Sequence, residues 1–375
     1  MTRNRKPKLC LISLAAYHYF NPDAEVQGGG AQRQLYLLSQ ELQSSFDVHF
    51  VVGDYGQPAT EVRDGVTLHR SYTPMPDDDS VVGQAKRAAV LFDTVRRADA
   101  DFYFFRGFPH KAAVLNVCFE LLGVPWLYSL SSDKNVGRDL EGLSMPFSRL
   151  FDRAVDNAGA VVSQTAYQSE AVSTKLGVTS VVVPNGYPPA ETVRSRDERE
   201  FVLWVGNVDE EVKRPHLFLD LAEQCPDTEF VMIGPESTDP EYHRYIIDRA
   251  EGLDNVDYTG AVDSSKIHTY FRRATALVNT SPKEGFPNTF LEAWRCATPV
   301  VGLDVDPGRF VDFPGPSGYA DGDTAELVEI VRRLSTDESY WTELSTPAKE
   351  YFRANFTIDQ VARQYENIIM DALDG

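Results

Sequence analysis

The stretch Ser281-Pro282-Lys283-Glu284-Gly285-Phe286-Pro287-Asn288-Thr289-Phe290-Leu291-Glu292-Ala293-Trp294-Arg295-Cys296-Ala297-Thr298-Pro299-Val300-Val301-Gly302 decides how this chain is read. An apolar run, Ala276–Asn279, precedes it, and a second closes it at Pro299–Gly302. Between them lie a polar, glycine-containing loop and an amphipathic run. That order is strand, loop, helix, strand, the repeating unit of a parallel sheet. Gly285 permits close backbone approach and unusual dihedrals, and Pro287 or Asn288 starts the helix as first-turn residue or N-cap. The amides around Gly285, Phe286, Pro287 and Asn288 and the positive helix end suit a diphosphate or a polar sugar. Glu284 lies before the helix and Glu292 near the end of its second turn, so two acceptors reach one ligand from different heights. Two glutamates eight positions apart mean nothing alone in an acidic chain, where solvated helix-surface acids are the plainer reading. Their setting supplies the signal.

The same alternation extends in both directions. Upstream, strand Phe201–Val205, helix Pro215–Gln224, strand Glu229–Ile233, helix Glu241–Glu251, strand Asn255–Thr259 and helix Ser264–Arg273 follow one another. Downstream, Asp323–Leu373 reads as three helices, the last of which reaches back to the first domain. The first half repeats the pattern, with apolar runs at Leu9–Leu14, Val48–Val52, Val66–His69, Phe102–Phe105, Trp126–Leu130, Ala160–Ser163 and Ser180–Val183. Amphipathic stretches such as Ala31–Gln43, Val81–Arg97 and His110–Leu122 separate them. The break Pro184-Asn185-Gly186-Tyr187-Pro188-Pro189, running into the charged Arg194–Arg199, is the linker candidate. The expectation is therefore an α/β chain with two Rossmann-like doubly wound domains facing across a cleft, where a ligand binds at the strand C-termini. The domains are expected at 1–188 and 200–355, with 356–375 a helix packed back on the first.

The pattern S-x-x-E-G-F-x-x-x-x-x-E-A followed by Pro-Val-Val resembles the donor-site motif of retaining GT-B glycosyltransferases of the family 4 type. That resemblance implies that Glu284 approaches hydroxyls of the transferred sugar and that Glu292 accepts from the ribose hydroxyls. Val205-Gly206-Asn207 through Lys213-Arg214-Pro215 resembles the family's G-R-x-x-x-x-K, with Lys213 in the lysine position and Asn207 where an arginine is usual. A cation there would stabilise a departing diphosphate. Arg214 or Lys283 is the candidate replacement for the missing charge. Gly28-Gly29-Gly30 before a helix fails as a dinucleotide fingerprint, since Arg33 stands where glycine is needed, but resembles the family's N-terminal glycine loop. Pro184-Asn185-Gly186 resembles the turn that closes the family's first domain, and Gly260-Ala261-Val262 falls where such enzymes hold the base through backbone atoms.

The first domain is less explicit. Family members carry a His or Asp after the strand read as Trp126–Leu130, and here Ser131-Ser132-Asp133-Lys134 follows it. Asp133 is the candidate to orient a sugar hydroxyl, and Arg106 to steer an acidic group. His18 and His110 read as ordinary loop residues. The resemblance implies transfer of a sugar from a nucleoside diphosphate to a hydroxyl of a glycan or lipid-linked acceptor, with retention, by front-side attack. It calls for no metal and no cofactor beyond the donor; Asp304-Val305-Asp306 has the letters of a metal motif but follows a strand in the wrong context. Competing readings are a catalytically silent nucleotide-sugar-binding or scaffold subunit, favoured by Asn207 and the missing His, and an epimerase or phosphorylase of the same architecture.

Composition bounds the partners. The 375 residues carry a formal charge of −20, which argues against nucleic acid. Only Arg3, Arg5, Lys6 and Lys8 form a basic cluster, and they read as a frayed terminus. With 26 Arg to 10 Lys and 32 Asp to 24 Glu, the surface suits concentrated salt, as in a salt-loving archaeal source. Cys10, Cys118, Cys225 and Cys296 have no metal or redox spacing and read as buried thiols in a reducing compartment. Neither a signal peptide nor a membrane-spanning run is apparent, so a cytoplasmic protein, with peripheral contact at the inner membrane face, is expected.

Overall fold

The computed structural model describes residues 5–24, 29–74, 80–263, 266–310 and 318–374. The chain divides into two compact units, Met1–Gly186 with Ile358–Gly375, and Tyr187–Thr357.

The first unit is built on eight strands: β1 (Lys8–Ile12), β2 (Asp47–Val52), β3 (Thr60–Arg63), β4 (Val66–Arg70), β5 (Phe102–Arg106), β6 (Trp126–Ser129), β7 (Ala160–Ser163) and β8 (Val181–Val182). Their order is β3-β4-β2-β1-β5-β6-β7-β8, parallel except for the β3–β4 hairpin. Strand β1 shows why its sequence is continuously apolar. Leu9 and Leu11 enter one core with Phe50, Phe104 and Leu127, while Cys10 and Ile12 enter the other with Tyr103, Phe119 and Trp126. A strand buried on both faces has no polar alternation to show. Helix Ile358–Asp374 belongs to this unit and packs Val361, Tyr365 and Ile369 into the first of those cores.

The second unit holds β9 (Phe201–Val205), β10 (Phe230–Ile233), β11 (Val256–Gly260), β12 (Ala274–Asn279), β13 (Val300–Gly302) and β14 (Gly318–Tyr319). All pairs are parallel, in the order β11-β10-β9-β12-β13-β14. The winding reverses between β9 and β12. In an open α/β sheet that point opens a crevice beyond the strand ends, where ligands bind.

Two details differ from expectation. The stretch Arg194–Arg199 is fastened to the second unit rather than free. Arg199 is buried, donates to the carbonyls of Ala274 (2.8 Å) and Cys296 (2.8 Å) and to Thr298 Oγ1 (2.6 Å), and lies over the Trp341 ring. Charged sequence concealed a buried anchor. The edge strand β3 is also additional; three of its four residues are exposed, so it carries no apolar signature.

Candidate functional site

The site is built where β9 and β12 end. The chain leaving β9 closes a compact turn around Asp209, whose carboxylate accepts from the amides of Glu211 (3.0 Å) and Val212 (2.6 Å) and whose carbonyl accepts from Arg214 N (2.9 Å). Close approach is needed at this end of the sheet: a Cβ on Gly234 would lie 2.2 Å from the Gly206 carbonyl oxygen. Arg214 then takes a left-handed backbone, φ 47, as N-cap of helix Pro215–Gln224. Consecutive cations therefore go to different partners. Lys213 Nζ pairs with Glu284 Oε1, and Arg214 pairs with Asp304 and donates through Nε to the Thr280 carbonyl (2.6 Å). Thr280 ties the two loops, donating to the Lys213 carbonyl (2.6 Å) while accepting from Trp204 Nε1 (3.0 Å).

From the β12 side, Glu284 Oε1 also accepts from Ser281 Oγ (2.7 Å) and Asn279 Nδ2 (3.3 Å). Its side chain is 13 % exposed and that of Lys213 27 %. A carboxylate held by one ammonium, one hydroxyl and one amide is oriented in advance, which a site for developing charge requires. Beyond it, helix Asn288–Arg295 begins with Pro287 as N-cap, and no side chain caps it. First-turn amides and the positive end of the helix dipole are thus presented beside Glu284. Glu292 is buried in the second turn.

Several expectations are changed by this geometry. Arg214, the candidate to replace the cation missing at Asn207, is engaged by Asp304 and the Thr280 carbonyl, and Asn207 itself is exposed. Asp304 is accordingly an ion-pair partner, and Asp306 accepts from the Gly308 amide (2.8 Å). Gly285 is not among the glycines with positive φ, whereas Gly260 is, at φ 68. Phe286 packs against Phe310 (5.6 Å) and Phe356 (5.4 Å), anchoring the loop in an aromatic cluster. Gly260 ends β11, two strands beyond β9, with Ala261 and Val262 following it. Sequence reading overlooked Asn279, Thr280, Ser281 as a ligand of Glu284, and Gly234. Ser281 had a signal in the S-x-x-E spacing, and the other three only in their place at strand ends.

In the first unit, Gly29 is the N-cap of helix Gly30–Glu41, its amide bonded to Gln32 Oε1 (3.1 Å); Gly28 lies outside the described residues. Asp133 opens a short 3-10 turn after β6 and accepts from Gln168 Nε2 (2.9 Å). Arg106 is only 5 % exposed and donates to Asn185 Oδ1 (2.7 Å), so it braces the Pro-Asn-Gly turn rather than steering a ligand at the surface. Asn185 in turn donates to Gln164 Oε1 (3.1 Å). His110 stacks on Phe108 (5.7 Å) and His18 meets Tyr19 edge-on (5.5 Å).

Comparison with known proteins agrees with this architecture. Residues 199–337 match the profile described as Glycosyl transferases group 1, and residues 29–186 match the Glycosyl transferase 4-like domain. A Glycosyltransferase 1 domain-containing protein 1 from Xenopus tropicalis is 24% identical over 155 residues. The match covers 41% of this chain and 45% of that relative, so it spans less than half of the relative's length. Among solved structures, sucrose-phosphate synthase from Thermosynechococcus elongatus superposes with a TM-score of 0.74 at 18% identity, covering 98% of this chain and 99% of that one. Anabaena HepE, solved in complex with UDP and glucose, gives 0.72 at 15% identity, covering 96% and 98%. At these identities the superpositions speak for the fold.

Proposed function

The chain belongs to the group 1 glycosyltransferases of GT-B fold, and from that premise we propose that it moves a sugar from a nucleoside-diphosphate sugar to a hydroxyl, with retention. The observation that carries the reading is the Lys213–Glu284 pair at the winding reversal of the second sheet, beside an uncapped helix start and above buried Glu292. In this reading the backbone N–H groups of Gly285, Phe286 and Asn288, on either side of Pro287, and the Lys213 ammonium hold the diphosphate. Glu284 accepts from sugar hydroxyls, Glu292 from the ribose, and the backbone of Gly260–Val262 meets the base. Within the first unit, Gly29, Gly30 and Asp133 are the residues proposed to meet a sugar, Asp133 by orienting a hydroxyl.

The bond from the anomeric carbon to the diphosphate oxygen breaks as the acceptor oxygen bonds to the same face. The acceptor proton passes to the departing phosphate oxygen. Lys213 and the helix amides offset the negative charge that collects there. No metal and no further cofactor takes part, so EDTA is expected to leave turnover unchanged. Calorimetric titration with UDP, GDP and their sugars tests the donor assignment; absence of binding by both nucleotides would remove it. Donor binding without turnover on any glycan or lipid-linked acceptor would favour a binding subunit.

A lipid-linked acceptor at the cytoplasmic membrane face is favoured by apolar side chains left in water. Met145 is 65% exposed on helix Met145–Asn157, along with Phe147 and Leu150, and Leu121 is 72% exposed on the packed neighbour Pro109–Leu122. Exposed apolar clusters mark interaction surfaces. Co-sedimentation with neutral phosphatidylcholine vesicles, reduced in the double variant Phe147→Ser, Leu150→Ser, is the corresponding check; equal sedimentation would remove the membrane assignment. Among the described residues, no helix is long and apolar enough to cross a membrane.

A further inference from the structure

Asn279 ends β12 at the winding reversal of the second sheet, and none of the roles above is assigned to it. Its backbone is fixed: it pairs with Gly302 on β13, and its carbonyl accepts from the Leu303 amide (2.9 Å). The side chain is only 8 % exposed. Buried strand positions favour apolar and β-branched residues, so an asparagine here needs a physical reason.

The two ends of its amide are treated differently. Nδ2 donates to Glu284 Oε1 (3.3 Å) and lies 3.5 Å from Ser281 Oγ. Oδ1 is buried and accepts no hydrogen bond from the described residues. Turning the amide over is no remedy, because Oδ1 would then face a carboxylate that itself only accepts. Glu284 shows the same division. Lys213 Nζ, Ser281 Oγ (2.7 Å) and Asn279 Nδ2 all go to Oε1, and among the described residues no donor goes to Oε2.

Two touching side chains therefore present two acceptor atoms, Asn279 Oδ1 and Glu284 Oε2, while three donors are committed to Oε1. Such a pair selects for hydroxyl groups. A ligand that supplies an O–H satisfies the buried acceptor, and one that lacks it leaves that acceptor unpaired in a closed site. The placement is also rigid, since the amide stands on a strand paired on both sides, with β9 and β13.

We propose that Asn279 is a specificity-determining residue of the sugar pocket: Nδ2 holds Glu284 in place, and Oδ1 accepts from one hydroxyl of the transferred sugar. The assignment rests on the donor reading above. Calorimetry on the full chain with UDP, GDP, UDP-glucose, UDP-galactose, UDP-N-acetylglucosamine and GDP-mannose identifies the sugar nucleotide that binds most tightly. Analogues of it, with fluorine in place of one sugar hydroxyl at a time, then test Asn279. One analogue should bind the unchanged chain about tenfold more weakly than the parent, or worse. Asn279→Leu keeps the bulk of the side chain and removes both polar ends. It should weaken the parent sugar nucleotide about tenfold, and UDP and GDP by less than about twofold. In that variant the gap between parent and analogue should shrink below about threefold, the coupling expected of two groups in contact. Asn279→Ala serves the same comparison if the leucine variant does not fold. Analogues that all bind like the parent, a gap that persists in the variant, equal losses for nucleotide and sugar nucleotide, or binding of UDP or GDP without any sugar nucleotide would overturn the role of Asn279. Each of those results leaves nucleotide binding in place. No binding of any nucleotide or sugar nucleotide by the unchanged chain would instead remove the donor reading, and this assignment with it.

Discussion

Lys213 and Glu284 are 71 positions apart, yet they form one ion pair. Both residues stand out in the sequence because each sits in a strand–loop–helix stretch that resembles a family motif. Their contact was not, since it depends on β12 returning to pair with β9, a property of strand order. The same limit explains Arg214, whose partner Asp304 is 90 positions away. Glu292 is the most direct residue-scale test of the donor assignment. If it accepts two ribose hydroxyls, Glu292→Ala should weaken donor binding by about 2–4 kcal/mol, the strength of hydrogen bonds to a charged acceptor. Calorimetry on the variant measures this, and an affinity equal to that of the unchanged chain would remove the ribose role.

At the scale of elements, strands packed on both faces were the most legible, as in β1 and β7, because they read as short, mostly apolar runs. The antiparallel β3 was not, since one exposed face and a polar composition resemble a loop. Pairing between strands also produces chemistry that no local pattern contains. His49 on β2 and His69 on β4 stack at 5.0 Å, with Nδ1 and Nε2 2.7 Å apart, a bond that needs at least one neutral ring. Burial, then the neighbouring His49, Arg97 and Lys8, lowers His69 to about 4 from an ordinary value of 6.5. Burial also lowers His49, against the opposing pull of Asp47. With folded values depressed, the unfolded chain binds more protons between pH 6.5 and 4. Stability is therefore full above pH 6.5 and falls as acid is added, by about 1.4 kcal/mol for each tenfold by which folding weakens proton binding. Urea unfolding across that window should show a steeper loss in the unchanged chain than in His69→Gln. Parallel profiles would show that the pair is not linked to stability.

At the scale of the molecule, two α/β units each carry their own sheet and core, and the C-terminal helix Ile358–Asp374 returns to the first. The fold class was legible from alternation alone. The crossing at Gly186–Tyr187 was blurred because the residues after it look like linker while Arg199 is a buried anchor. The proposed transfer would join the whole architecture to one charge, the Lys213 ammonium set against a leaving diphosphate. Nucleoside-diphosphate release from UDP- and GDP-sugars, with a glycan acceptor, should be measured for the unchanged chain and Lys213→Ala. Release from one donor class, falling by roughly 10²–10³ in the variant, is predicted, as expected for loss of one preorganised group at developing charge. No release from any donor, or release undiminished by Lys213→Ala, would contradict the account.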